Sequence, residues 1–145
     1  MIRIFVITLL VLATSAQASE TWLTINVGSY HINAKKDYNQ QNYGVGVEYH
    51  NDDLIFMAGE YRNSSYKDSV YAMGGWMPLK LGVVNAGATI GAVNGYPNIN
   101  GGGFTLAVAG VVSAEWDKVG VNLIVLPKVK DKTPLTLGLQ LKIKF

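Results

Sequence analysis

The last eleven residues of the chain alternate strictly between large apolar side chains and smaller or polar ones. One face carries apolar residues at 135, 137, 139, 141, 143 and 145, and the other carries Thr, Gly, Gln and two Lys. A period of two residues is that of a β-strand, in which successive side chains point to opposite faces. Apolar groups on one face and lysines on the other are typical of a strand with lipid outside and a polar interior.

The same alternation recurs along the chain and predicts eight strands. It is clear in 104–116 and 119–126 and weaker in the Gly/Ala-rich stretch that begins at 81. The predicted strands are 22–31, 42–50, 54–62, 69–76, 81–92, 104–116, 119–126 and 135–145. Eight is the smallest common strand number for outer-membrane barrels. We therefore predict an all-β, eight-stranded antiparallel up-and-down transmembrane β-barrel.

The connections between these strands alternate in length. Short turns at 50–53, 77–80 and 116–118 separate longer polar segments at 32–41, 63–68, 93–101 and 127–132. Outer-membrane barrels combine short periplasmic turns with long external loops in this way. Trp22, Trp76 and Trp116 each fall near a short-turn end, where an interfacial aromatic girdle is expected. A soluble β-sandwich would also alternate, but it needs no such relation between loop length and tryptophan position.

The first residues predict export. Arg3 precedes an apolar run that ends in a small-x-small cleavage pattern at residues 16–18, which is typical of a secretory signal peptide. We expect a signal peptide at 1–18 and one domain, the outer-membrane β-barrel, at 19–145, with no transmembrane helix. The predicted location is the outer membrane of a Gram-negative bacterium.

Composition excludes several functions. The chain has no cysteine, which rules out disulfides and thiolate chemistry. The formal charge is +2 and falls to about +1 without Arg3, which is no footprint for nucleic-acid binding, since that needs a clustered basic face. No group of His, Asp and Glu has the spacing of metal ligands, and we predict neither a metal nor a cofactor.

Charged residues are expected inside the barrel near the short turns. If Leu, Val and Phe face outward, Glu48, Glu115, Lys142 and Lys144 face inward. Opposite charges in a narrow lumen would neutralise each other, so we interpret them as a structural plug of ion pairs rather than a catalytic carboxylate pair.

Small residues are expected inside the barrel near the long loops. These inward positions are Gly44, Gly46, Gly75, Gly87, Gly91, Thr105, Ala107 and Ala109. Two interpretations remain open. Small side chains leave space in which a lumen could hold an acyl chain, or glycine relieves crowding in a strongly tilted small barrel.

Three stretches of the sequence resemble a known family. YNQQNYGVGVEY at 38–49, RNSSYKDSVYAMGGW at 62–76 and the segment from VGVNLIVLP to LKIKF are similar, in order and spacing, to outer-membrane lipid A palmitoyltransferases. The resemblance covers roughly residues 30–145. It implies an eight-stranded barrel with an external active site and an internal hydrocarbon pocket, which transfers a palmitoyl chain from a phospholipid to lipid A.

The resemblance also implies site residues. The family's functional histidine corresponds to His31 at the external end of the first strand. Its Asp-Ser pair corresponds, without a gap, to Asn63 and Ser64, and its pocket-floor glycine to Gly75. Asn63 thus stands where the family has an acid, and it offers a neutral amide instead. Lys67-Asp68-Ser69 reproduces the family's Lys-Asp-Ser literally, but that alignment needs a five-residue shift, and we prefer the ungapped one.

Chemistry independently favours His31 as a general base. Acyl transfer needs a group that accepts the proton of an attacking hydroxyl, and histidine titrates near neutrality. His50, the other histidine, is predicted at the opposite barrel end, so His31 is the available partner for Ser64. Simple alternation, however, places His31 on the outward face with Val27 unless a bulge re-aims it. Predicted oxyanion donors are Arg62, the amide of Asn63 and backbone N–H groups.

Two functions follow as hypotheses. The first is a lipid acyltransferase of the lipid A palmitoyltransferase type, a monomer with a phospholipid donor and a lipid A acceptor. His31 would be the base, Ser64 the hydroxyl partner or nucleophile and Asn63 an orienting amide, with Gly75, Gly44, Gly46, Gly87 and Ala107 lining the acyl pocket. The second is a non-enzymatic barrel whose external loops bind a partner or mask a surface receptor.

Overall fold

A computed structural model describes residues 19–145 as one closed β-barrel. The predicted signal peptide at 1–18 lies outside the described residues. The strands are β1 (Ser19–His31), β2 (Gly44–Asn51), β3 (Leu54–Arg62), β4 (Asp68–Leu81), β5 (Val84–Val93), β6 (Thr105–Trp116), β7 (Val119–Leu126) and β8 (Thr136–Lys144). A 3-10 turn at Asn100–Gly102 lies in the loop between β5 and β6.

Each strand pairs antiparallel with its neighbours in sequence, and β1 closes the barrel by pairing with β8. The predicted eight-stranded up-and-down topology is therefore confirmed. Two-residue turns at 52–53, 82–83 and 117–118 join the strands at one end, and longer loops join them at the other. Asp52, Gly82 and Asp117, the first residue of each turn, have positive φ, which glycine and aspartate tolerate best.

The second short turn lies further along the chain than predicted. β4 continues through Met77 and Pro78 to Leu81, so the prediction of a turn at 77–80 was wrong. Proline is normally a turn signal because it cannot donate to a strand ladder. Here the pairing of β4 with β5 shifts between Trp76 and Leu79, and this bulge accommodates the proline.

The outer surface of the barrel is apolar. Large apolar side chains alternate outward on every strand, among them Phe56 on β3, Ile90 on β5, Leu106 on β6 and Leu141 on β8. The buried hydrophobic residues, in contrast, number only six in the described chain. In a closed barrel the first strand pairs with the last, so the strands satisfy one another's backbone polar groups around the wall and the apolar surface can face lipid. Within residues 19–145, no helix is long and apolar enough to cross a membrane.

The tryptophans divide between the two faces. Trp76 and Trp116 are 59% and 50% exposed on the outer surface, as a girdle requires. Trp22 is fully buried, and the prediction that it belongs to the girdle was wrong. Its ring lies 4.6 Å from Lys142 Nζ and 4.9 Å from Lys144 Nζ, so it stacks in the lumen as a cation–π partner.

The end of the lumen near the short turns is filled by the predicted ion pairs. Lys142 Nζ lies 2.6 Å from Glu48 Oε1 and 2.6 Å from Glu115 Oε1, and Lys144 pairs with Glu20 at 2.9 Å. The second oxygen of Glu48 accepts a hydrogen bond from Asn122 (2.6 Å). Because the Lys142 ammonium and the Glu48 carboxylate are fully buried, each depends on the other for charge compensation. We call this group the lumen plug.

Replacing Lys142 by Ala should destabilise the barrel strongly. The change removes the buried ammonium group that pairs with Glu48 and leaves that carboxylate with His50 alone as an ionic partner, and breaking such a buried pair costs about 3–5 kcal/mol. Urea unfolding of the barrel refolded in detergent micelles measures the effect. Lys80→Ala is the matched control, because its ion pair with Asp53 is solvent-exposed and should shift the midpoint little. Equal midpoints for the two variants would contradict the assignment of the plug as a stabilising element.

Candidate functional site

A β-bulge near the external end of β1 decides where His31 points. β1 pairs with β8 in register from Trp22↔Lys144 to Asn26↔Gln140, and the register then shifts so that Gly28 pairs with Leu139. Val27 is the extra residue. Below the bulge the even-numbered residues face the lumen, and above it Ser29 and His31 do. Simple alternation would have sent His31 into lipid, and the bulge reverses that assignment.

His31 and Ser64 meet at the external mouth of the barrel. His31 Nε2 lies 2.7 Å from Ser64 Oγ, within hydrogen-bond distance, although the residues are far apart in sequence. The histidine is 6% exposed and lies at the end of β1, whereas Ser64 lies in the loop after β3. The juxtaposition that the sequence predicts for these two residues is present in the structure. A base next to a hydroxyl is the arrangement that activates a serine nucleophile.

The His31 ring is oriented by stacking. The Tyr38 ring lies parallel to it, with 4.5 Å between centroids and 12° between planes. Lys36 Nζ lies 5.1 Å from the centroid of the Tyr38 ring. His31 Nδ1 is buried and has no hydrogen-bond partner within residues 19–145. The stacked Tyr38 ring therefore restrains the orientation of His31, which in a serine hydrolase triad is the task of a carboxylate hydrogen-bonded to Nδ1.

Asn63 has a different role from the predicted one. Its side chain is fully buried and makes four hydrogen bonds, none of them to His31. The amide donates to Ser69 Oγ (2.9 Å) and to the Gly95 carbonyl (2.8 Å), while Oδ1 accepts from the backbone N–H groups of Ser65 and Lys67. Asn63 thus fixes the loop that carries Ser64 and ties it to the loop between β5 and β6.

The alternative alignment on Lys67-Asp68-Ser69 is not supported by the geometry. Ser69 is buried and donates to the Asn94 carbonyl (2.5 Å), so its hydroxyl is engaged away from His31. Asp68 is exposed and pairs with Arg62 at 2.9 Å on the outside. The amide of Asn63 is therefore occupied, and Arg62 is engaged through Nη1 with an exposed carboxylate, which makes backbone N–H groups the predicted oxyanion donors that remain.

A cavity of about 380 Å³ extends inward from the His31–Ser64 pair. Its wall is mostly apolar, with Met57, Met73, Val111 and Ile124 among the lining residues. Small-molecule pockets span about 300–1,000 Å³ and are lined mainly by apolar side chains. The cavity therefore offers an apolar ligand a site whose mouth is the His31–Ser64 pair.

The cavity also reaches the side of the barrel. β7 ends at Leu126 and pairs with β6 only from Gly110 to Trp116, so the β6 stretch 105–109 has no partner in β7. Leu106 and Val108 of that stretch, together with Leu126 and Pro127, line the cavity at this point. The barrel wall is thus incomplete between β6 and β7, on the side of the long loops and at the level of the apolar outer surface.

The glycines predicted for the acyl pocket lie elsewhere. Ala107 lines the cavity, but Gly44, Gly46, Gly75 and Gly87 are not among its lining residues. A Cβ at Gly75 would lie 2.1 Å from the Ala88 carbonyl oxygen, and one at Gly87 1.9 Å from that of Trp76. These glycines allow close approach of neighbouring strands, which is the second of the two interpretations that the sequence left open.

Sequence reasoning missed the aromatic residues of the site. Tyr61 and Tyr96 both line the cavity, and their hydroxyls are 2.6 Å apart. Burial raises the pKa of the loop residue Tyr96 above its ordinary value, which further favours the protonated hydroxyl. Tyr38, which orients His31, was not singled out either. Its position seven residues after His31 in a loop carries no periodic signal.

One group of potential metal ligands lies at the opposite end of the barrel. Ligand atoms of Glu48, His50 and Glu115 are all within 4.8 Å of one another. Lys142 lies 2.6 Å from both carboxylates and already supplies the positive charge. We therefore interpret this group as part of the lumen plug.

Comparison with known proteins supports the fold. The chain matches no protein-family model and no curated protein. Its structure is similar to that of the outer membrane protein Ail of Yersinia pestis, determined in a phospholipid bilayer nanodisc, with a TM-score of 0.52 and 15% sequence identity. The match covers 88% of this chain and 100% of that one. At this identity the likeness shows the fold alone, an outer-membrane barrel.

Replacing Asn63 by Asp should loosen the external loops. The family resemblance alone would predict a gain of activity, but aspartate cannot donate to Ser69 and Gly95, and its charge would be buried. We expect a loss of about 1–3 kcal/mol or more. Thermal unfolding in detergent and the rate of protease cleavage in the loops measure the effect. Asn33→Asp, an exposed position of the first external loop, is the control, and equal behaviour of both variants would contradict the role of Asn63.

Proposed function

We propose that this chain is a lipid acyltransferase of the outer membrane of a Gram-negative bacterium, with a phospholipid as acyl donor and lipid A as acceptor. The observation that carries the proposal is the hydrogen-bonded pair of His31 and Ser64 at the mouth of an apolar cavity. The apolar outer surface supports the location, because it requires a lipid environment. The resemblance to lipid A palmitoyltransferases supplies the reaction class.

In the proposed reaction, His31 Nε2 accepts the proton of Ser64 Oγ as that oxygen attacks the carbonyl carbon of the donor ester. This requires the neutral tautomer in which the proton resides on Nδ1. The bond from the carbonyl carbon to the glycerol oxygen then breaks, and His31 returns the proton to that oxygen. Attack by an acceptor hydroxyl, with His31 again as base, releases Ser64 and completes the transfer.

The cavity supports this reaction by holding the acyl chain. Its mostly apolar wall can replace the hydrocarbon that surrounds an acyl chain in the bilayer, so the chain keeps an apolar environment when it enters. A chain in this cavity would have its carboxyl end at the mouth, next to Ser64. The gap between β6 and β7 gives lipid in the membrane a lateral route to the same space. Donor binding therefore needs no passage through water.

The second function, a non-enzymatic barrel whose loops bind a partner, is favoured by a separate observation. No carboxylate contacts His31 Nδ1 within the described residues, and Asn63 is committed to loop structure. A partner-binding loop surface needs neither a base nor a cavity. The experiments below distinguish the two functions, since the second predicts no dependence of any lipid modification on His31 or Ser64.

Expression in a Gram-negative host that lacks its own palmitoyltransferase should add an acyl mass to lipid A, measured by mass spectrometry. Ser64→Ala and His31→Ala should each lower the modified fraction by about 100-fold or more, the range expected for loss of a nucleophile or a general base. Ser65→Ala removes the neighbouring hydroxyl and should retain activity. Unchanged lipid A with a folded protein in the outer membrane would overturn the proposal. Release of free fatty acid from phospholipid would identify water as the acceptor.

Filling the cavity should block the reaction without unfolding the barrel. Ala107→Phe places a ring in the space proposed for the acyl chain, and we expect transfer to fall at least tenfold. Ala88→Phe makes the same change on the lipid-facing side of β5 and should leave transfer intact. Lipid A mass spectra give the activity, and the heat-dependent mobility of the barrel on a detergent gel reports folding. Full activity of a folded Ala107→Phe protein would show that the cavity does not hold the chain.

A further inference from the structure

The charges of the barrel are distributed unequally between its two ends. The external loops at 32–43, 63–67, 94–104 and 127–135 contain six lysines and two aspartates. The turns at 52–53, 82–83 and 117–118 contain three aspartates and one lysine. The external end is therefore net positive and the periplasmic end net negative. The overall charge of the chain, which is small, conceals this difference.

None of the six loop lysines forms an ion pair within the described residues. The ion pairs of residues 19–145 involve His50, Arg62, Lys80, Lys142 and Lys144, and all of these are strand residues. An exposed ammonium group without an intramolecular carboxylate is available to an external anion. At the other end of the barrel the lumen lysines Lys142 and Lys144 are instead paired with carboxylates.

Two of these lysines border the candidate site. Lys36 in the first external loop and Lys132 in the last line the same cavity as His31 and Ser64. These loops follow β1 and precede β8, which pair with each other, so the two loops begin and end next to each other at the mouth. Lys36 Nζ also contacts the Tyr38 ring that stacks on His31. The neighbouring Lys35 and Lys130 do not line the cavity.

We propose that Lys36 and Lys132 form a phosphate-binding site for an anionic lipid whose acyl chain enters the cavity. The two ammonium groups lie at the polar edge of an apolar space, which is the order of charge and hydrocarbon in a phosphorylated amphiphile. The proposal rests on the proposed function for its choice of ligand, and the phosphate has two sources, the headgroup of the phospholipid donor or a phosphate of lipid A. When the two lysines bind the phosphate and the cavity binds the acyl chain, the ester carbonyl between them is positioned relative to Ser64.

The test measures binding and does not need turnover. The full chain carrying Ser64→Ala, folded in a maltoside detergent, is titrated by calorimetry with a lysophosphatidic acid and with the monoacylglycerol of the same chain length. We expect the phosphate-bearing lipid to bind about tenfold more tightly, by analogy with other charge-assisted contacts, and this advantage to decrease with salt. K36Q/K132Q should remove the advantage, whereas K35Q/K130Q, which makes the same charge change on the same loops, should preserve it.

A second pair of probes identifies the source. Lipid A with its phosphates and dephosphorylated lipid A are titrated in the same way. A K36Q/K132Q effect on lysophosphatidic acid assigns the site to the donor headgroup, and an effect confined to phosphorylated lipid A assigns it to the acceptor. Equal affinity for charged and uncharged lipids in both pairs, or equal losses in the two double variants, overturns the proposal. If calorimetry shows phosphate-dependent binding but lipid A in cells is unmodified, the acyltransferase function is rejected and the phosphate-binding site stands.

Discussion

Backbone hydrogen bonding in hydrocarbon is the constraint on which the rest of this structure depends. Lipid offers no partner to an N–H or a carbonyl, so a chain that crosses it in strands must pair every edge. Here β1 pairs with β8 and closes the sheet, although the loop-side stretch 105–109 of β6 has no partner in β7. Closure then fixes the two faces, because side chains that point out meet lipid and those that point in share a narrow lumen.

The lumen is divided along its length. At the periplasmic end, Lys142 and its two carboxylates fill the space with compensated charge. Ile55, Met57, Met77 and Val111 form an apolar layer. Toward the loops the space opens into the cavity. A dense lower half supplies rigidity, which an upper half with a cavity and long loops could not supply alone, and the candidate site therefore lies on a firm base.

Sequence periodicity predicted the strands because outward positions obey one simple requirement, contact with lipid. The prediction failed at residues whose type suggests one location while the strand places them in another. Pro78 reads as a turn residue, but a bulge accommodates it inside β4. Trp22 reads as an interfacial residue from its place near the end of β1, but it lies on the lumen-facing side of that strand, where its ring contacts two lysines. The pairing of His31 with Ser64 was accessible to sequence reasoning through resemblance and the scarcity of histidines. The role of Asn63 was not, since it depends on the distant Ser69 and Gly95.

The bulge at Val27 lets one strand, β1, serve both the lumen plug and the candidate site at the mouth. Without it, alternation would continue from Asn26, and Tyr30 would face the cavity while His31 faced lipid. A shift of one residue exchanges the two faces of a strand, so the bulge gives β1 one assignment near the plug and the opposite one at the mouth. Gly28 makes this geometry feasible, because a Cβ there would lie 2.7 Å from the carbonyl oxygen of Gln40. That carbonyl accepts a hydrogen bond from Ser29 N–H (3.0 Å), and the loop that carries Tyr38 is thereby drawn against His31.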